Sequence, residues 1–209
     1  MVVAHAASPY SGAGYDISYP QCTGATLPSG TFGIVGVTDG RAFTQNPCLG
    51  NEYAHAVGSG TPSLYFNTGY AVAYRKDITP ACSAGPNQAW KIGCSEADYA
   101  ATHASGLNVA MWWLDVEAGN SWSSSNHTLN QQTIQGAVDR LSGTGLVGIY
   151  STVSSWNTIT GGRFIPTGSS ADWVAGQGGA CPGTSFDTKS VWLSQYVSQI
   201  DGFDHDNAC

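Results

Sequence analysis

The sequence predicts an α/β fold, a closed barrel of about eight strands with a reduced set of helices. Three observations carry this. Short runs rich in β-branched and aromatic residues recur along the 209-residue chain, each closed by Gly, Asn, Asp or Ser. Several runs are apolar at nearly every position, as strands covered on both faces are. Segments of helical character lie between them, and that alternation points to parallel strands joined by crossover helices.

In order, strands are expected over 15–18, 32–38, 63–67, 109–117, 146–151, 172–176 and 191–197, with a weak last one near Phe203. Helices are expected over 51–57, after Pro47, and over 95–105, 128–141 and 153–159. Ser95 precedes Glu96 and Asp98, and Thr128 precedes Gln131, so each of those two helices has a side-chain oxygen to cap its first turn and a polar partner beyond it. Gly106 and Gly143 close them. A complete barrel of this kind takes about 250 residues. Some helices must therefore be missing, most readily between Gly176 and Lys189, where the connection is short. The chain reads as one domain over 13–209, with 1–12 as the remnant of an export signal or a disordered N-terminus; Ala4-His5-Ala6 has the small-x-small pattern of a signal-peptidase site.

Composition narrows the function. Only 10% of residues are charged, the net charge is −7, and seven Lys and Arg are spread singly. No basic stripe exists for phosphates or an anionic membrane surface, so nucleic acid and membrane are not expected partners. No stretch is long and apolar enough to span a bilayer. Six cysteines at 22, 48, 82, 94, 181 and 209, with no C-x-x-C pair, fit disulfides rather than zinc and imply an oxidising, extracellular location. Six thiols allow fifteen connectivities; short loop closure favours pairing of sequence neighbours.

The chemistry concentrates in "AMWWLDVEAGNSW", residues 110–122. Strand side chains alternate, so Asp115 and Glu117 share a face above Trp113, while Trp112, Leu114 and Val116 point the other way. Same-face positions lie roughly 6.5 Å apart, close enough for both carboxyls to share one substrate. Two close acids beside an aromatic wall do not both ionise, which leaves a proton donor next to an anion, as glycosidic cleavage requires. They sit at the C-terminal end of their strand, where barrel enzymes place active sites. Asp16, in "GYDIS", ends the first strand, and Asp204, in "GFDHDN", is read at the end of the eighth, its neighbour around a closed barrel.

Other features carry less. Asp201, Asp204, His205 and Asp206 do not match a calcium loop, and no metal or cofactor is expected. The five His accompany no nucleophile motif. The lone G-x-G of "SGAGYD" lacks the flanking strand and helix of a nucleotide site. Among seven Trp, Trp122 in the loop after the acids is the candidate for stacking on a sugar face. Asn126-His127-Thr128 is a glycosylation sequon, with Thr128 also able to cap a helix.

"GYDIS", "WWLDVE", "GIYS", "DWVA" and "QYVSQIDGFDHDN", in this order over about residues 14–207, resemble glycoside hydrolase family 25, the Chalaropsis-type muramidases. A related group of family-25-like actinobacterial-type secreted domains is similar too, through "GVTDGRAFTQNPCL". The resemblance implies a flattened, incomplete (β/α) TIM-like barrel that cleaves the β-1,4 bond between N-acetylmuramic acid and N-acetylglucosamine. It implies Glu117 as general acid, with Asp115 orienting a substrate acetamido group that attacks the anomeric carbon, and Asp16 and Asp204 as supporting acids. Tyr150, Gln195 and Tyr196 match family positions near the floor of the site. The chain departs at Ser194, where the family has an aromatic, leaving Trp192 two residues earlier, and at "GVTDGRAF" in the second-strand region. The expectation is a secreted, monomeric lysozyme-like glycoside hydrolase acting on peptidoglycan, with two alternatives: a hydrolase of another extracellular glycan on the same barrel, or a non-catalytic module that binds cell-wall carbohydrate.

Overall fold

The computed structural model describes residues 6–23, 26–176 and 178–209. Eight strands close into one barrel in chain order: β1 (Ala13–Ile17), β2 (Gly33–Gly36), β3 (Ser63–Asn67), β4 (Trp112–Asp115), β5 (Val147–Ser151), β6 (Ala171–Ala175), β7 (Val191–Val197) and β8 (Asp204–Ala208). Every expected strand is present. β1 to β7 run parallel, but β8 is antiparallel to both of its neighbours, which corrects the all-parallel expectation. The physical reason is the connection: residues 198–203 are too few for a crossover, and a short link makes a hairpin. Asp204 consequently starts β8 rather than ending it, and the reversal still delivers it to the rim opposite Asp16.

Among the described residues four α-helices cover the outside: α1 (Leu49–Ala56) between β2 and β3, α2 (Gln88–His103) between β3 and β4, α3 (His127–Ser142) between β4 and β5, and α4 (Val153–Thr160) between β5 and β6. Among the described residues no helix lies between β6 and β7, in keeping with the short chain. α2 begins seven residues before the expected start. Its cap is Asn87, whose Oδ1 accepts from Trp90 N at 2.9 Å, while Ser95 lies buried in mid-helix and donates to Lys91 O at 2.7 Å. α3 is capped by Asn126 instead of Thr128, at 3.0 Å. α2 and α3 touch through glycines. A Cβ on Gly93 would stand 1.8 Å from Thr133 O, and one on Gly136 2.1 Å from Trp90 O. Among the described residues no helix is long and apolar enough to cross a membrane.

The alternation of side chains makes two cores. Ile17, Val35, Leu64, Phe66, Leu114, Ile149 and Val174 face outward and pack under Ala97, Ala100, Ile134, Ala137 and Trp156 of the helices. Phe32, Ile34, Met111, Trp113, Trp173 and Leu193 fill the barrel interior. The N-terminal segment closes the bottom and is not frayed at Tyr10. The Tyr10 ring lies 4.8 Å from Phe32, and its hydroxyl meets Ser63 Oγ at 2.6 Å and accepts from Trp113 Nε1 at 2.7 Å. Ala4-His5-Ala6 falls mostly outside the described residues.

Three disulfides join sequence neighbours: Cys22 to Cys48, Cys82 to Cys94 and Cys181 to Cys209. The first ties the segment after β1 to the start of α1, the second anchors the loop before α2 to that helix, and the third holds the β6–β7 connection against the C-terminus.

Candidate active site

The upper rim of the barrel carries the acids. Asp16 ends the inward face of β1 and pairs in register with Asp204 of β8. Asn67 of β3 is in register with Asp115 of β4, and Asp115 with Tyr150 of β5. Glu117 lies two residues beyond Asp115. Val116 N still bonds Tyr150 O at 2.9 Å, so the extended backbone continues and Glu117 points to the same side as Asp115. The turn that follows is fixed from within: Asn120 Nδ2 donates to Asp115 O at 3.0 Å, and Trp122 Nε1 to Glu117 O at 2.8 Å.

Asp16, Asp115, Glu117 and Asp204 converge on one cavity of about 120 Å³, together with Tyr150 and Gln195. Tyr65 and Trp173 complete the lining and were not singled out from sequence. Both were accessible to the same alternation argument, since Tyr65 is two residues before Asn67 on the inward face and Trp173, within β6, is in register with Tyr150. Two expected residues are not in the cavity. Tyr196 sits on the outer face of β7, beside the His205 ring at 5.8 Å, because alternation turns it away from Gln195. Trp122 lines a separate open groove with Tyr70, Val72 and Ser121. The departure at Ser194 also faces away, its buried hydroxyl donating to Ala180 O at 2.9 Å.

A hydrogen-bond chain fixes the floor. Tyr150 Oη donates to Gln195 Oε1 at 2.7 Å, and Gln195 Nε2 donates to Asp16 Oδ2 at 2.8 Å. Asn67 Nδ2 donates to Asp115 Oδ2, whereas buried Asp115 Oδ1 has no partner.

Among the described residues no Lys, Arg or His lines the cavity, so no cation offsets the acids. Burial holds Asp115 well above the usual carboxylate range, with the Glu117 and Asp16 charges adding and the Asn120 hydrogen bond opposing. Asp16 is pushed up to about 7 by burial and by Asp204, against the hydrogen bonds from Gln195 and Asp206. Glu117 is raised by burial, a shift the Tyr150 hydroxyl opposes and the Asp204 charge reinforces. Burial also raises Asp204, and His205 counters it. Raised carboxyls grouped in a cleft are suited to general acid catalysis.

A family model described as Lysozyme-like protein 1 matches residues 78–180, a span that holds Asp115, Glu117, Tyr150 and Trp173. No curated protein sequence matches the chain. Solved structures align over nearly the whole chain. A family GH25 lysozyme from Aspergillus fumigatus superposes with a TM-score of 0.69 at 17% identity, covering 95% of this chain and 93% of that one.

The chain has the GH25 lysozyme fold.

Two further structures agree with this fold. A muramidase from Trichobolus zukalii gives a TM-score of 0.67 at 20% identity, covering 95% of this chain and 94% of that one. The lysozyme from Streptomyces coelicolor gives 0.65 at 20% identity, over 96% and 93%.

Proposed function

We propose that this chain is an extracellular muramidase that hydrolyses the β-1,4 glycosidic bond of peptidoglycan with assistance from the substrate acetamido group. The observation that carries the reading is the pairing of Asp115 with Glu117 on one cavity, with Asp115 Oδ1 buried and unpartnered beside a carboxyl whose proton is retained by burial. Glu117 donates that proton to the glycosidic oxygen as the bond to the anomeric carbon breaks. The acetamido carbonyl oxygen bonds to that carbon from the opposite face, and Asp115 Oδ1 accepts the acetamido N–H; the positive charge that develops there draws Asp115 to its ionised form against the burial that raises it. Glu117, now a carboxylate, takes a proton from water, which opens the cyclic intermediate and returns retained configuration. Asp16 and Asp204 support the pair at the rim, the Asp204 charge by raising Glu117, and Tyr150 and Gln195 meet sugar hydroxyls. The three disulfides support action outside the cytoplasm, and the chain acts as a monomer.

Product analysis tests the reading. After digestion of insoluble peptidoglycan and borohydride reduction, a muramidase yields reduced muramic acid at the new ends. Reduced glucosamine instead would assign a different bond, and binding without new reducing ends would assign a non-catalytic wall module. The alternative of another glycan rests on Ser194 and on "GVTDGRAF" in the second-strand region; of these, Ser194 faces away from the cavity.

A further inference from the structure

Asp206 follows Asp204 by two residues on β8, so it shares the inward face one step deeper in the barrel. It stands in register with Gly14 of β1 and Gln195 of β7 and is fully buried. Its Oδ1 accepts from Trp173 Nε1 at 2.7 Å, and its Oδ2 receives no N–H. Gly14 presents no side chain, and Asp206 meets the next inward residue of β1, the carboxyl of Asp16.

Two carboxyls in contact away from solvent need a shared proton. Asp16 borders the cavity and already accepts from Gln195. Asp206 has one donor and no water-facing edge. The groups that face Asp206 are Asp16 from β1, Asp204 from its own strand and the Tyr10 hydroxyl from the N-terminal segment, with neutral Trp173 and Gln195 from β6 and β7. None of them is a cation. Burial and the Asp16 charge hold Asp206 well above the carboxylate range, while contact with Asp206 lowers Asp16.

We propose that Asp206 is a positioning residue: it keeps a proton on Oδ2 and donates it to Asp16, so that when the pair ionises the charge appears on Asp16 at the cavity and not in the barrel interior. The effect on turnover rests on the hydrolase reading; the location of the proton does not.

Side-chain carboxyl carbons followed by NMR in the ¹³C-labelled protein test it without substrate. Asp16 is expected to titrate near pH 7, with Asp206 keeping the shift of a protonated acid at a pH about one unit higher. Loss of the Asp206 proton at or below the pH at which Asp16 titrates overturns the proposal. In peptidoglycan lysis, Asp206→Asn keeps both hydrogen bonds and is expected to lower kcat by at most about threefold, whereas Asp206→Leu lowers it by about tenfold or more with little change in KM. Equal loss in both variants, or loss in neither, overturns the positioning role. Binding of peptidoglycan by the parent protein without release of reducing ends would remove the hydrolase reading and leave the carbon titration standing.

Discussion

Asn67 on β3 donates its side-chain amide to Oδ2 of Asp115 on β4, and Thr38 holds that amide in orientation by donating to Asn67 Oδ1 at 2.6 Å. One oxygen of Asp115 is thereby fixed by protein, and the other is left for a ligand N–H. Asn67→Ala is expected to lower kcat about tenfold to a hundredfold, the worth of one hydrogen bond to a charged group, with a smaller effect on KM. Steady-state kinetics on soluble glycan fragments check this, and a kcat close to the parent value contradicts it.

Glu117 has two neighbours that act on it in opposite directions. The Asp204 charge raises its proton affinity, and the Tyr150 hydroxyl lowers it. A general acid must be protonated in the free enzyme, so the alkaline limb of kcat/KM follows this group. Asp204→Asn is expected to move the limb to lower pH and Tyr150→Phe to higher pH. Shifts in the same direction would contradict the assignment.

A second buried acid lies away from the site. Asp172, on the outward face of β6, is fully buried against Asp187 of the β6–β7 connection and is pushed up to about 9 by burial and by that neighbour, against Lys189. The native state keeps a proton that an unfolded Asp, near 3.9, releases, so stability falls as pH rises through the interval between those values, by about 1.4 kcal/mol per pH unit for one proton. Asp172→Asn removes that proton from the balance. Its urea midpoint is expected to gain on the parent as pH rises from about 5 to about 8; midpoints that change in parallel would contradict the shift.

The strands were legible because a run such as Leu146 to Ser151 has one reading, largely apolar with β-branched residues, opened after Gly145 and closed by Ser151. The site was legible for the same reason: Asp115 and Glu117 share a face by alternation alone. The same rule placed Asp206 beneath Asp204, but the acidic "DGFDHDN" invited comparison with a metal loop, and nothing in it announces burial beside Asp16. The direction of β8 was available from the short 198–203 connection. The start of α2 was obscured by tertiary contacts: Ser95 and Glu96 look like a cap, yet Glu96 is buried to bond Thr68 Oγ1 at 2.5 Å and Gly69 N at 3.2 Å. Asn67 and Thr38 are ordinary polar residues until the β2–β3–β4 register brings them to Asp115.

The central claim is that Glu117 supplies the proton that cleaves a glycan. Release of reducing ends from purified peptidoglycan by Glu117→Gln, with folding verified by near-ultraviolet dichroism, measures it most directly. The expected rate falls by about a hundredfold to ten-thousandfold, the range for a general acid; a rate equal to the parent's would contradict the account.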